Sequence, residues 1–209
     1  VDRIRDGKSF TTRRVNAIQN GEAIFSCSIS FQKREKGLNH QIKMPKIQGP
    51  ERLKSDLELR KDLKSKIPKD YLPMWLRERE IETRQVEPVD LLKAEKLPPY
   101  RSTWMKPTGR LPIDERIHQA LLLYVSDMGL LGAAVNPHEV NFMSKKFQSA
   151  SLDHVMWFHG KVNFNNWILH HMHSPISQNA RGFSRGSIYT KSGKLVASTA
   201  QEGLMRIWD

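Results

Sequence analysis

Leu111-Pro-Ile-Asp-Glu-Arg-Ile-His-Gln-Ala-Leu-Leu-Leu-Tyr-Val-Ser-Asp-Met-Gly129 is the stretch that decides how this chain folds. Pro112 suits the first turn of a helix, where its missing N–H would have had no partner. Asp114 and Glu115 complement the positive end of the helix dipole. Ile117, Ala120, Leu121, Tyr124 and Met128 then recur at i, i+3, i+4 and i+7, which predicts one apolar stripe facing a core. After the helix the period drops to two. Strands are predicted over 151–159, 164–173 and 183–190, and Ser192-Gly193 turns the chain into a last strand over 194–208. Tyr100 to Met105 and Thr83 to Val86 read as strands ahead of the helix.

The first part of the chain follows a different pattern. Two alternating runs flank Gln19-Asn-Gly-Glu22, and Asn-Gly is the strongest short hairpin signal because both residues tolerate positive φ. In the second run Ala23, Phe25, Cys27, Ile29 and Phe31 share one face, which predicts a half-buried strand with Cys27 as a small buried hydrophobe. Residues 33–50, with Met44-Pro45 and Gly49-Pro50, read as a connector. Leu53, Leu57, Leu63 and Ile67 among dense charges predict an amphipathic surface helix from Glu51 to about Lys66. The hairpins 9–32 and 183–208 share a layout of strand, tight glycine turn and strand. A helix followed by antiparallel strands able to wrap it is the α+β pattern of the hotdog fold. On this basis residues 82–209 are expected to form a complete second hotdog, 33–81 a linker carrying the amphipathic helix, and 1–32 the closing strands of a partial first hotdog.

Composition narrows the classes. The 209 residues contain no run of eighteen apolar residues, and the start, Val1-Asp-Arg-Ile-Arg-Asp6, does not resemble a signal peptide. With Cys27 alone there is no disulfide within the chain and no cysteine-built zinc site. The net charge of +12 would attract phosphates, but it is spread out, and no nucleic-acid motif accompanies it. No specific nucleic-acid partner is therefore expected. His170, His171 and His173 form a histidine-rich tract, yet on a strand His170 points away from the other two, and no acid is spaced to complete a metal site.

Three polar residues fall where polar residues need a reason. Asp127 ends the helix stripe, where burial and the negative end of the dipole would both make a carboxylate a better base. Ser151 is expected in line with Asp153, Val155 and Trp157 on one strand. Gln201 continues the small-residue face Leu195, Ala197, Thr199, where a buried amide must find partners. On the bare sequence each also has a plain structural role: a turn cap, a strand-starter, a satisfied core amide.

Their surroundings resemble a known family. Asp127 lies in Tyr124-Val-Ser-Asp-Met-Gly129, Ser151 in Ser151-Leu-Asp-His-Val-Met-Trp-Phe-His159, and Gln201 in Ala200-Gln-Glu-Gly203. With Ala180-Arg-Gly-Phe183 and Arg5-Asp-Gly-Lys-Ser-Phe10 outside the site, these resemble the acyl-CoA thioesterase II family of bacteria and peroxisomes. The resemblance implies a double hotdog, incomplete here, with the chain starting partway through a longer protein. It implies hydrolysis of fatty acyl-CoA to free fatty acid and coenzyme A. Asp127 would act as base, Ser151 would orient it or the water, and Gln201 would hold the water and donate to the thioester oxygen. Coenzyme A is then part of the substrate and no separate cofactor is expected. A homo-oligomer and the peroxisome matrix are further expectations, although the chain ends Arg206-Ile-Trp-Asp209 without a Ser-Lys-Leu-type signal. The alternative is a truncated, non-catalytic acyl-CoA-binding or interaction module. A hydratase-like pair, Asp114 and His118, is a minor variant.

Overall fold

The computed structural model describes residues 1–90, 92–140 and 142–208, and the chain divides into two compact units between Gln41 and Ile42. The first unit is an antiparallel sheet in the order β1 (Asp2–Asp6), β2 (Phe10–Gln19), β3 (Glu22–Gln32). Asn20 and Gly21 take φ of 51° and 85°, the left-handed pair that the two-residue turn requires. The hairpin is as expected, but its burial is not. Phe25 is 57% exposed and Phe31 53% exposed, while Cys27 is half-buried rather than buried. Among the described residues of this unit no helix lies across the sheet to cover that face.

Among the described residues the second unit holds four α-helices, α1 (Asp56–Asp62), α2 (Leu72–Trp75), α3 (Glu115–Ser126) and α4 (Gly132–Val135). Its seven strands are β4 (Ile81–Gln85), β5 (Tyr100–Pro107), β6 (Phe147–Ser151), β7 (Val155–Phe158), β8 (Ile168–Gln178), β9 (Arg181–Thr190) and β10 (Leu195–Ile207). They form one antiparallel sheet in the order β4-β5-β8-β9-β10-β6, with β7 also paired to β10. Leu122 and Val125 of α3 pack on Met105, Phe164, Ile168, Ile188, Val196 and Ala197 to make the main core. The opposite face, Trp104, Leu169 and Tyr189, is covered by Met44, Ile47, Leu53, Val86, Trp167 and Leu195. Trp104 Nε1 donates to the Gln48 carbonyl at 2.9 Å and Arg84 Nη1 to the Pro50 carbonyl at 2.8 Å. The expected connector thus contributes a roof to the sheet, held by side chains that donate to its backbone.

Three local expectations change. The helix expected over 51–66 breaks into a 3₁₀ turn at Pro50–Arg52, α1 and a second 3₁₀ turn at Lys64–Lys66, because Ser55 and Glu58 form a capping box that starts α1 afresh. In α3 the buried residues are His118, Leu122, Val125 and Ser126, whereas Ile117, Tyr124 and Met128 are exposed. The inner stripe therefore lies one position along from the expected one. Two of its members are polar and are satisfied there: His118 Nδ1 accepts the Phe164 N–H at 3.2 Å, and Ser126 Oγ donates to the Leu123 carbonyl at 2.7 Å. The third change is the strand over 151–159, which is two strands. Asp153 Oδ1 accepts the Glu202 N–H at 2.8 Å while the Leu152 N–H donates to the Glu202 carbonyl at 2.9 Å. A carboxylate takes the place of a ladder carbonyl, so pairing stops and resumes at Val155.

Candidate functional site

That interruption builds the site. β10 pairs with β6 through Gly203↔Ser151 to Ile207↔Phe147 and with β7 through Ala197↔Phe158 to Ala200↔Val155, leaving Gln201 and Glu202 opposite the break. Alternation along β10 turns Ala197, Thr199, Gln201 and Gly203 toward the inside, and Gln201 is only 1% exposed. Gly203 has no side chain because Leu131 occupies that space: a Cβ there would lie 2.7 Å from Leu131 Cδ1. Asp127 caps the C-terminus of α3 with its backbone still in the helical region, and Gly129, at φ 79°, then turns the chain away.

All three candidate residues meet at one atom. Ser151 Oγ donates to Asp127 Oδ1 at 3.3 Å, and Gln201 Nε2 donates to the same oxygen. Asp127 is exposed, which corrects the expectation of a buried carboxylate: the helix ends at the surface, and the burial lies with Gln201 beneath it. Ser151 is not in line with Val155, because the two belong to different strands facing different parts of β10.

His154 joins this cluster. In the break between β6 and β7, Gln201 Nε2 contacts His154 Nδ1 at 3.2 Å, and His154 Nε2 contacts Ser126 Oγ at 2.8 Å. Both amide hydrogens of Gln201 are thereby engaged, one by Asp127 and one by His154. Burial holds the His154 imidazole below its ordinary pKa, against the opposing pull of the Asp127 and Asp153 carboxylates. The available signal was its place immediately after Asp153 in the aromatic motif. A strand drawn without a break would have turned it away from Asp153 and Ser151.

A second polar layer lies on the inner face of the sheet. His170 is fully buried and its Nε2 contacts Thr199 Oγ1 at 3.2 Å. The ring reaches across Gly186, where any Cβ would collide with both His170 Nε2 and Thr199 Oγ1. Burial, with lesser contributions from His154 and His171, pushes the His170 pKa down to about 3. Two further histidines turn to separate partners: His171 Nδ1 meets Ser102 Oγ at 2.9 Å, and His159 Nε2 meets Ser198 Oγ at 2.8 Å. Among the described residues no three His, Cys, Asp or Glu side chains group as a metal site. Asp114 is taken up by the α3 cap and an ion pair with Arg116, and His118 Nδ1 by the Phe164 backbone, so neither is poised as a hydratase pair would be.

An exposed carboxylate held by a hydroxyl and a buried amide at a helix end can take a proton from a water molecule. Comparison with known proteins gives the chain a family. The acyl-CoA thioesterase family model matches residues 75–204. The chain is 34% identical over 206 residues to acyl-CoA thioesterase 2 of Haemophilus influenzae, covering 99% of this chain and 72% of that protein. It is 36% identical over 219 residues to acyl-coenzyme A thioesterase 8 of Mus musculus, covering 99% of this chain and 67% of that one. The structure of an acyl-CoA thioesterase II from Mycobacterium marinum superposes with a TM-score of 0.76 at 34% identity, over 99% of this chain and 72% of that chain. A hot dog fold protein from Alicyclobacillus acidocaldarius superposes at 0.70 with 15% identity, over 98% of this chain and 70% of that chain, a likeness of fold alone. The chain has the hotdog fold and belongs to the acyl-CoA thioesterase family.

Proposed function

We propose that the chain hydrolyses fatty acyl-CoA thioesters with Asp127 as the general base. The observation that carries this reading is the shared oxygen: Asp127 Oδ1 accepts from both Ser151 and Gln201. Two donors on Oδ1 fix the carboxylate plane and leave Oδ2 to take a proton from water. The water oxygen bonds to the acyl carbon, and the carbonyl π electrons move onto oxygen. Collapse of that tetrahedral species expels coenzyme A as a thiolate, which recovers the proton from Asp127. A thiolate is a good leaving group, so no covalent acyl-enzyme is needed. Ser151 and Gln201 hold the base, and with both Gln201 hydrogens engaged, the thioester oxygen is served by other donors.

The test is release of the coenzyme A thiol from palmitoyl-CoA, followed with a thiol reagent after the half-buried Cys27 has reacted to a stable baseline. Wild type is expected to turn over, and Asp127→Asn and Gln201→Ala to lose most of the rate. Retained palmitoyl-CoA binding with equal, negligible turnover in all three would favour the non-catalytic binding module instead. Self-association is supported by the apolar side chains exposed on α3 and β7, among them Tyr124 and Trp157, and sedimentation as a monomer would remove it. A peroxisomal location, which the resemblance implies, is read by imaging the tagged full-length protein.

A further inference from the structure

We infer that His154 is a positioning residue that must be a neutral imidazole with its hydrogen on Nε2, and that this tautomer orients the Gln201 amide toward Asp127. The inference rests on the proposed role of Asp127. It follows from counting hydrogens along one chain of contacts. Ser126 Oγ carries a single hydrogen and donates it to the Leu123 carbonyl at 2.7 Å. In its 2.8 Å contact with His154 Nε2 the hydroxyl can therefore only accept, so Nε2 bears the hydrogen. A neutral imidazole has no second N–H, which leaves Nδ1 bare to accept from Gln201 Nε2 at 3.2 Å. The remaining amide hydrogen goes to Asp127 Oδ1. Every donor then finds an acceptor from the Leu123 carbonyl to the proposed base.

The reverse arrangement fails at both ends of the amide. A flipped Gln201 would set Oε1 against the Asp127 carboxylate, two acceptors facing each other. A proton on His154 Nδ1 would face the Gln201 N–H, two donors facing each other. Relief of that second conflict requires the amide to rotate, and Asp127 loses its buried donor. The charged and titratable groups around the ring are Asp127 from the end of α3, Asp153 from its own segment and His170 from β8. The two carboxylates favour a protonated ring, while burial opposes it and outweighs them. Ser126 Oγ, tied to the helix backbone, is the anchor that selects the tautomer.

Two substitutions separate this role from simple packing. In His154→Asn the side-chain carbonyl falls near the place of Nδ1 and can still accept from Gln201. In His154→Gln the polar group reaches instead toward Ser126 and leaves no acceptor at the δ position. The expected result with palmitoyl-CoA is that His154→Asn stays within about threefold of the wild-type kcat, while His154→Gln falls roughly tenfold to hundredfold in kcat with KM little changed. Equal rates in the two variants, whether high or low, would overturn the inference. A direct reading of the ring is independent of activity: ¹⁵N NMR of the wild-type chain at neutral pH should give a bare Nδ1 and a protonated Nε2. The opposite tautomer would also overturn it. If Asp127→Asn turned over like wild type, the proposed base would fail, while the NMR result would still stand or fall alone.

Discussion

β3 of the first unit and β10 of the second are both the returning arm of a hairpin with a positive-φ glycine at its turn, Gly21 and Gly193. By composition β3 should be the buried one, since Ala23, Phe25, Cys27, Ile29 and Phe31 share a face. It is the exposed one, and β10, presenting Ala197, Thr199, Gln201 and Gly203, is buried. The difference is what crosses the strand. α3 and Leu131 close over the inner face of the second sheet, whereas no element of the first unit does the same. A polar residue under such a cover must be satisfied or pay a desolvation cost. Thr199 meets His170, and the Gln201 amide nitrogen meets Asp127 and His154, while among the described residues its oxygen finds no partner. The buried polarity of β10 is thus the substance of the site, and the apolarity of β3 is surface.

The largest expected effect is at the polar end of that contrast. Asp127→Asn keeps the shape of the side chain and can still occupy the helix end, so thermal unfolding should hardly move. Loss of a general base should lower kcat by about 10²-fold or more. A fall in kcat matched by a large fall in melting temperature would mean that Asp127 is structural. The second effect tests the cover itself. Leu122→Ala removes a side chain with no exposure from the centre of the α3 contact and should cost about 2–5 kcal/mol in urea unfolding. A cost below about 1 kcal/mol would show that α3 does not hold the second sheet.

The same contrast explains which features were legible in the sequence. The hairpins, α3 and most strands follow from short-range pattern, since Asn20-Gly21 fixes a turn whatever lies above it, whereas the three motif residues stood out only through the family that their motifs resemble. The inner face of α3 was not legible, because Leu121, Leu122 and Leu123 permit several registers and the buried one includes His118 and Ser126. Those two become tolerable only through the Phe164 N–H and the Leu123 carbonyl with His154, contacts that spacing does not reveal. The break between β6 and β7 was hidden for a similar reason. Asp153 imitates a backbone acceptor for Glu202, whose position in sequence is remote. With the break unseen, His154 could not be placed beside Gln201.

His170 makes the covered sheet sensitive to acid. Its folded-state pKa of about 3 lies below the ordinary value of 6.5, so between these values the unfolded chain binds a proton that the native state refuses. Stability is then fully present above pH 6.5 and is lost as pH falls toward 3, at up to about 1.4 kcal/mol per pH unit. Between pH 6.5 and pH 5 the loss from this one group should be about 1.6 kcal/mol in urea unfolding. His170→Asn should begin less stable, having lost the Thr199 contact, but with a slope shallower by that amount. An unchanged slope would mean that the imidazole is not sealed beneath α3.

The smallest effect should come from the face that looks most hydrophobic in sequence. The first unit contains no tryptophan, because all 5 tryptophans lie at or beyond Trp75. Tryptophan fluorescence therefore follows the second unit alone. Phe25→Ser removes an aromatic ring that is already 57% exposed, and the free energy of urea unfolding of the first unit, followed by circular dichroism where fluorescence is silent, should shift by no more than about 0.5 kcal/mol. Binding of a hydrophobic dye should fall, since Phe25, Ile29 and Phe31 form an exposed apolar row on one strand face. A shift larger than about 1 kcal/mol, or dye binding that does not change, would mean that something shields this strand in solution, and the contrast between β3 and β10 would then be one of different covers rather than of cover and its absence.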